Sequence, residues 1–156
     1  MKIEVGTVAP GFNLFNTEKK KIALTDYKGK NVLLLFFPLA FTGTCTKELC
    51  DVRDTISVYN NSNAVVLGIS VDSLYTLHKY KEDQHLNFDL LSDFNKEVSA
   101  AYGSLYDVFG FEMKGVGKRS AFVIDKDGIV QYAQVLEDAS EIPDFSAIEK
   151  VLSMHN

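Results

Sequence analysis

The sequence predicts a three-layer α/β domain with a mixed central β-sheet flanked by helices. Up to about residue 102, apolar runs of strand length alternate with stretches whose apolar residues recur at helical spacing. Two short apolar stretches then flank an Asp-Gly turn at residues 125–128, and a final amphipathic stretch follows. The last two features indicate a β-hairpin and a closing helix.

The first elements are a predicted N-terminal β-hairpin and a central strand. Apolar residues on both sides of the polar turn at 16–20 indicate the hairpin. The run Val32–Phe37 shows no polar alternation, which is typical of a strand covered on both faces. It ends at Pro38, and a short polar segment then leads to Cys45, which we expect in the first turn of a helix.

The helix that follows has a clear apolar face. Its members recur at spacings of three, four and three residues: Leu49, Val52, Ile56 and Tyr59. The pattern predicts one continuous helix, which ends at the polar run 60–63. At about 100° per residue, Cys45 lies about 40° from Leu49 and therefore faces the interior with the apolar stripe.

The remaining elements follow from the same patterns. We predict strands over 64–71, 88–91, 121–124 and 129–133, helices over 74–84 and 96–102, a loop over 106–118, and a last helix from Pro143. The order β-α-β followed by a β-hairpin and a helix is thioredoxin-like. We expect residues 1–156 to form a single domain of this kind.

Composition excludes several classes of function. The net charge is −5, and the only basic run, residues 19–21, lies in a turn, so we expect neither a nucleic-acid partner nor an anionic membrane surface. The amino terminus has no apolar signal region, and no apolar run is long enough to span a bilayer. Two cysteines in such a chain indicate a reducing, cytoplasmic location.

Cys45 is the candidate nucleophile. The first turn of a helix favours a thiolate, because its backbone N–H groups are unpaired and the helix dipole is positive there. Thr42 and Thr44 could each cap this helix, and a threonine hydroxyl could also donate to a developing anion. A buried thiol is inert without a nearby cation, and both arginines of the chain, Arg53 and Arg119, are candidates. The alternative is a structural thiol with two surface arginines.

Cys50 is the second cysteine, five residues after Cys45. In an intact helix their Cα atoms would be roughly 8–9 Å apart, from about 1.5 Å rise per residue and 2.3 Å radius. A disulfide tolerates at most about 7 Å between Cα atoms. A bond between the two would therefore require the helix to unwind, and the alternative is that Cys50 has no redox role.

These residues resemble a known family. Residues 38–45, Pro-Leu-Ala-Phe-Thr-Gly-Thr-Cys, fit the peroxiredoxin signature P-x-x-x-T-x-x-C, and the resemblance extends over essentially the whole chain. Residues 32–43 look most like the alkyl hydroperoxide reductase E branch. The C-x-x-x-x-C spacing instead resembles the bacterioferritin comigratory protein (Q-type) branch. The sequence mixes both patterns.

The resemblance implies a thiol peroxidase that reduces hydrogen peroxide and organic hydroperoxides. Cys45 would attack a peroxide oxygen and become a sulfenic acid. Thr42, Arg119 and the Cys45 backbone N–H would hold the peroxide and stabilise the departing oxygen. Pro38, with its neighbour Phe41, would limit water access. Glu48 would orient Arg119, unless it is only a solvated charge on the helix surface. No cofactor or metal is expected.

The resemblance also implies a way to recycle the enzyme. Cys50 would attack the sulfenic acid after local unwinding, and a thioredoxin-like reductant would reduce the resulting disulfide. One alternative is a one-cysteine peroxiredoxin. Another is a copper-delivery protein of thioredoxin-like fold, although its usual C-x-x-x-C spacing is absent and His78, His85 and His155 lie in polar or terminal contexts. Four aromatic residues near the 106–118 loop could form an exposed patch at a homodimer contact or a pocket rim, or could equally belong to the core: Tyr102, Tyr106, Phe109 and Phe111.

Overall fold

The computed structural model describes residues 2–156. Its elements in chain order are β1 (Asn13–Asn16), β2 (Lys21–Ala23), β3 (Asn31–Phe36), α1 (Gly43–Asp54), α2 (Ile56–Asn61), β4 (Ala64–Ser70), α3 (Leu74–Gln84), β5 (Asp89–Ser92), α4 (Glu97–Ala101), β6 (Ser120–Ile124), β7 (Val130–Val135) and α5 (Phe145–His155). Short 3₁₀ turns lie at Leu24–Tyr27 and Gly110–Glu112. The element boundaries agree with the sequence prediction to within two residues, except in the helix that contains Cys45 and Cys50.

The strands form a seven-stranded mixed sheet in the order β2-β1-β5-β4-β3-β6-β7. β3 lies near the centre, parallel to β4 and antiparallel to β6. The hairpin β1–β2 joins the sheet antiparallel to β5, and β6 and β7 form the second hairpin. The predicted α/β thioredoxin-like class, with its mixed sheet and N-terminal hairpin, is confirmed.

β3 separates two apolar clusters because its side chains alternate between the faces of the sheet. Leu33 and Leu35, with Phe37 directly after the strand, pack with α1 and α5 in the same cluster as Cys45 and Leu49. Val32, Leu34 and Phe36 pack on the other face with Phe12, Tyr102 and Phe122. Every residue of β3 is buried, as the continuous apolar run predicts. Burial of each large side chain contributes about 1.5–3 kcal/mol, so the strand that precedes the cysteine loop is firmly held.

The prediction of one continuous helix from Cys45 to Asn60 is wrong. The helix breaks at Thr55, which has φ −118° and ψ 23°. The Thr55 hydroxyl donates to the Asp51 carbonyl at 2.9 Å, and such back-bonding by threonine bends helices. The apolar stripe nevertheless stays on the core, because α2 resumes directly after the break. Leu49, Val52 and Tyr59 are buried, and Ile56 is partly buried.

The aromatic side chains near the 106–118 loop do not form one patch. Tyr102 is a core residue whose hydroxyl donates to the Pro10 carbonyl at 2.6 Å, so of the two alternatives the exposed contact is wrong for it and the core is correct. Tyr106 and Phe109 pack on each other with ring centroids 5.2 Å apart. Phe111 is 99% exposed. Among residues 2–156, no helix has the length and apolarity that crossing a bilayer requires.

Candidate active site

Cys45 lies just beyond the carboxyl end of β3, the end at which open α/β sheets place their sites. The connecting loop is anchored at both ends. The Phe37 N–H donates to the Ile69 carbonyl at 3.0 Å, and the Ala40 N–H donates to Asp72 Oδ2 at 2.8 Å. Asp72 follows the end of β4, and our sequence interpretation missed this role. The signal was the position of an acidic residue directly after a buried strand.

Pro38 is buried, and Phe41 is half-exposed with φ +67°. Thr42 is the N-cap residue of α1, but its side chain does not cap the helix. Its hydroxyl instead donates back to the Leu39 carbonyl at 2.7 Å, so the expected threonine cap is wrong at Thr42. The first amide groups of α1 therefore have no side-chain cap from Thr42 and remain available to an anion.

Cys45 and Arg119 meet in the protein interior. Both are 1% exposed, and Arg119 Nη2 donates to Cys45 Sγ at 3.3 Å. Arg119 directly precedes β6, and its Nε and Nη2 also donate to the Ala139 carbonyl at 3.1 and 2.9 Å. The other candidate cation, Arg53, instead donates to the Gln84 carbonyl at 2.6 Å. The structure therefore selects Arg119 as the partner of the cysteine.

Glu48 completes this buried cluster. It is fully buried, and its Oε1 accepts a hydrogen bond from Arg119 Nη1 at 2.7 Å. Among the described residues, its Oε2 has no hydrogen-bond partner. Burial raises the pKa of Glu48 to about 7, against the opposing effects of the charge and hydrogen bond of Arg119. Burial lowers the pKa of Arg119, but the adjacent Cys45 and Glu48 raise it more, so it exceeds its ordinary value.

Cys50 points in another direction. It is half-buried, and its Sγ donates to Gln84 Oε1 of α3 at 3.6 Å. Both cysteines are free thiols. Cys45 is buried within the core cluster, whereas Cys50 packs at its edge, partly buried, with its thiol directed at Gln84 of α3. This arrangement agrees with the helical geometry expected from the sequence, in which the two thiols do not meet while α1 is folded.

Polar contacts tie α1 to α3, and we call Thr46, Tyr80, Arg53 and Gln84 the α1–α3 clasp. The Thr46 hydroxyl donates to the Thr42 carbonyl at 2.8 Å and accepts from the Tyr80 hydroxyl at 2.9 Å. The buried Tyr80 ring packs against Phe37 and Phe41. Sequence patterns missed Tyr80, because they placed it in a helix without indicating what its hydroxyl meets.

The positions of the histidine and cysteine side chains do not support the alternative of a copper-delivery protein. Across the described part of the chain, no three His, Cys, Asp or Glu side chains are grouped so that they could hold a metal ion. His78 and His85 are exposed on or just after α3, and His155 lies in the last turn of α5. None of the three hydrogen-bonds to a cysteine in the described structure.

A buried cysteine at a helix amino terminus, paired with an arginine on a thioredoxin-like fold, defines a thiol oxidoreductase. Residues 5–133 match the AhpC/TSA family. Alkyl hydroperoxide reductase E of Mycobacterium tuberculosis is 40% identical over 136 residues, covering 85% of this chain and 86% of that protein. Peroxiredoxin Bcp of Bacillus subtilis is 36% identical over 157 residues, covering 90% of this chain and 99% of that protein.

A solved structure agrees with these relatives. The crystal structure of peroxidoxin BcpB from Mycobacterium tuberculosis has a TM-score of 0.82 and 29% identity, covering 97% of this chain and 95% of that one. The chain therefore belongs to the AhpC/TSA family and is an enzyme of the peroxiredoxin class. Relatives of both the E and the Bcp type match it, which confirms the mixed resemblance.

Proposed function

We propose that this enzyme reduces hydrogen peroxide and organic hydroperoxides with Cys45 as the nucleophile. The observation that carries the proposal is the 3.3 Å contact between Arg119 Nη2 and Cys45 Sγ in a buried site. The cation and the helix amino terminus both favour the thiolate. The thiolate attacks the terminal peroxide oxygen, an S–O bond forms as the O–O bond breaks, and an alkoxide or hydroxide departs and takes up a proton.

In this proposal Arg119, the first amide groups of α1 and Thr42 hold the peroxide. Arg119 and the first amide groups of α1 donate to the peroxide oxygens and stabilise the departing anion. Because the Thr42 hydroxyl already donates to the Leu39 carbonyl, its oxygen accepts a hydrogen bond from the peroxide O–H and does not donate one. Pro38 is buried, and in this proposal it limits the access of water to the sulfur. Glu48 orients Arg119 through its 2.7 Å hydrogen bond.

Cys50 resolves the sulfenic acid in this proposal. Because the two thiols face different sides of α1, the helix must unwind before Cys50 can reach Cys45. The disulfide then forms with loss of water, and a thioredoxin-like dithiol reduces it. The second candidate is a one-cysteine enzyme, favoured by the α1–α3 clasp, which opposes unwinding. We also propose a cytoplasmic location, because a chain with two unpaired cysteines suits a reducing compartment.

Single-turnover peroxide consumption tests the nucleophile. Wild type and Cys50→Ser should consume one equivalent of peroxide at similar rates, whereas Cys45→Ser should consume none. If Cys45→Ser keeps the activity, the proposal fails.

Intact-mass analysis after thiol blocking tests resolution. Wild type should lose two hydrogens after one equivalent of peroxide, and Cys50→Ser should stop at the sulfenic acid. A sulfenic acid that persists in wild type, with no loss of two hydrogens, would establish the one-cysteine enzyme instead.

We further propose that a second copy of the chain covers residues 106–113. This segment exposes Val108, Phe111 and Met113, and it lines a surface depression that includes Ala139, whose carbonyl holds Arg119. Sedimentation should show a concentration-dependent dimer for wild type and a monomer for Phe111→Asp. A wild-type monomer at all concentrations would refute this contact.

A further inference from the structure

We propose that Glu48 and Cys45 share one proton across Arg119, so that Glu48 takes up a proton when Cys45 becomes a thiolate and releases it when the thiolate is oxidised. This inference rests on the proposed peroxidase function, and it assigns to Glu48 a role beyond holding Arg119 in place. Glu48 acts on the sulfur through Arg119 and is therefore a positioning residue.

The geometry is that of one buried cation between two acidic groups. Arg119 Nη1 donates to Glu48 Oε1 at 2.7 Å, and Nη2 donates to Cys45 Sγ at 3.3 Å. With both acidic groups ionised, the cluster would carry a net negative charge, and two like charges would face each other away from water. With one proton between them the cluster is neutral. One proton is therefore the favoured occupancy.

Glu48 Oε2 provides the place for that proton. It is buried and has no hydrogen-bond partner among residues 2–156. A charged oxygen without a donor is more costly to bury than a neutral hydroxyl. The pKa of Glu48, raised by burial to about 7, agrees with a carboxyl group that is protonated for part of the time at neutral pH.

The other titratable groups around Glu48 do not compete for this proton. Tyr59 on α2 and Tyr80 on α3 both face the carboxyl group, and burial raises the pKa of each, for Tyr80 to about 12. Both phenols therefore stay neutral in the assay range. The charge of Glu149 on α5 also raises the pKa of Tyr59, but the Glu149 side chain is exposed to solvent. These groups therefore leave Glu48 as the carboxyl group that shares a proton with Cys45 in this proposal.

One proton moves from Cys45 to Glu48 before the reaction and from Glu48 to the departing oxygen after it. In the resting site, the Cys45 thiol and the Glu48 carboxylate exchange a proton to give a thiolate and a carboxylic acid. The thiolate attacks the peroxide, an S–O bond replaces the O–O bond, and an alkoxide or hydroxide departs. The thiolate charge is then gone, so Arg119 pairs with Glu48 alone and favours its carboxylate. The released proton converts the departing oxygen to an alcohol or to water.

Titration without peroxide tests the coupling. In a Cys50→Ser background, thiolate absorbance should rise in two overlapping steps with pH, because coupled groups titrate as a pair. Glu48→Gln keeps the oxygen that accepts from Arg119 but removes the carboxyl group. Its thiolate should form in one step, shifted to lower pH by about one unit. Glu149→Gln, the same change on an exposed carboxylate, should show no shift.

Infrared spectroscopy supplies a second readout. The Cys50→Ser protein with Cys45 ionised should show the carbonyl stretch of a protonated carboxyl group, and Glu48→Gln should lack it. By linkage, a Cys45→Ser change in this background should lose that band at lower pH, since no thiolate competes for Arg119.

One outcome overturns the proposal. A single-step titration with the same midpoint in the Cys50→Ser background and in Glu48→Gln, together with no carboxylic acid band, would show that Glu48 only holds Arg119. In that case Glu48→Gln would slow peroxide consumption without moving the thiolate titration. Because the titration uses no peroxide, its failure is distinct from failure of the peroxidase function. If Glu48→Gln does not fold, Glu48→Asp and the infrared band of the Cys50→Ser protein still decide the question.

Discussion

Replacement of Tyr80 by Phe should speed disulfide formation between Cys45 and Cys50. The change removes one hydroxyl, which donates to Thr46 Oγ1 at 2.9 Å, and keeps the ring that packs in the core. A hydrogen bond of this kind contributes about 1 kcal/mol to stability. Because the bond exists only while the first turns of α1 are folded, its loss should raise the unwound population roughly fivefold.

Quenched-flow mass spectrometry can separate the two chemical steps. Protein treated with one equivalent of peroxide is blocked at increasing times, and the sulfenic acid and the disulfide are quantified. In Tyr80→Phe, sulfenic acid should form within twofold of the wild-type rate, because Arg119 and the amino terminus of α1 are unchanged. The disulfide should then form about fivefold faster, provided that unwinding limits this step.

Tyr132→Phe is the matched control. It also removes a tyrosine hydroxyl, which donates to Gln134 Oε1 at 2.8 Å, but it lies on β7 and leaves the clasp intact. It should leave both rates unchanged. If Tyr80→Phe lowers global stability by about 1 kcal/mol while its disulfide rate equals that of wild type, unwinding of α1 does not limit resolution, and the reasoning is refuted.

Three further predictions concern the buried cluster and its loop. Arg119→Lys should slow single-turnover peroxide consumption by about 10²–10³-fold, because one ammonium cannot reproduce both guanidinium contacts; a change below tenfold would contradict this role. The pKa of Glu48 is raised from 4.5 to about 7 on folding, so its contribution to stability is complete below pH 4.5 and is lost as pH rises through 7. Urea unfolding should therefore show a loss of roughly 3 kcal/mol over this range that Glu48→Gln lacks, and equal slopes would contradict it. Asp72→Ala removes the acceptor of the Ala40 N–H and should cost about 1–3 kcal/mol in thermal unfolding and slow the peroxide step, whereas Asp72→Asn should be milder; a full peroxide rate in Asp72→Ala would refute the anchor.

Local pattern was sufficient to predict most of the fold. The uninterrupted apolar run of β3 predicted a two-sided buried strand, and the spacing after Cys45 predicted which helix face meets the core. These features depend on neighbours along the chain, so the sequence contains them directly. The break at Thr55 was missed because the apolar period continues across it. A single side-chain hydrogen bond to the Asp51 carbonyl decides that bend.

The candidate site was only partly predictable, because it depends on contacts between distant residues. Residue chemistry alone left Arg53 and Arg119 as equal candidates for the cation beside Cys45. The pairing of β3 with β6 decided between them, because it brings Arg119 to the sulfur. Thr42 was expected to cap α1, but the turn at Leu39 offers its hydroxyl a nearer acceptor. The choice between a surface contact and the core stayed open for Tyr102, because aromatic residues suit both. The family signature correctly directed attention to residues 38–45, but it does not specify these orientations.

The pairing of β3 with β6 also bears on when the cysteine becomes reactive. Phe36, at the end of β3, pairs with Ser120, the residue after Arg119. The cation therefore reaches the sulfur only after residues more than seventy positions apart have joined in the correct register. A chain still emerging from the ribosome contains Cys45 long before it contains Arg119. Its thiol should then be no more sensitive to peroxide than an ordinary cysteine, and the protein is thereby protected from oxidation during its own synthesis.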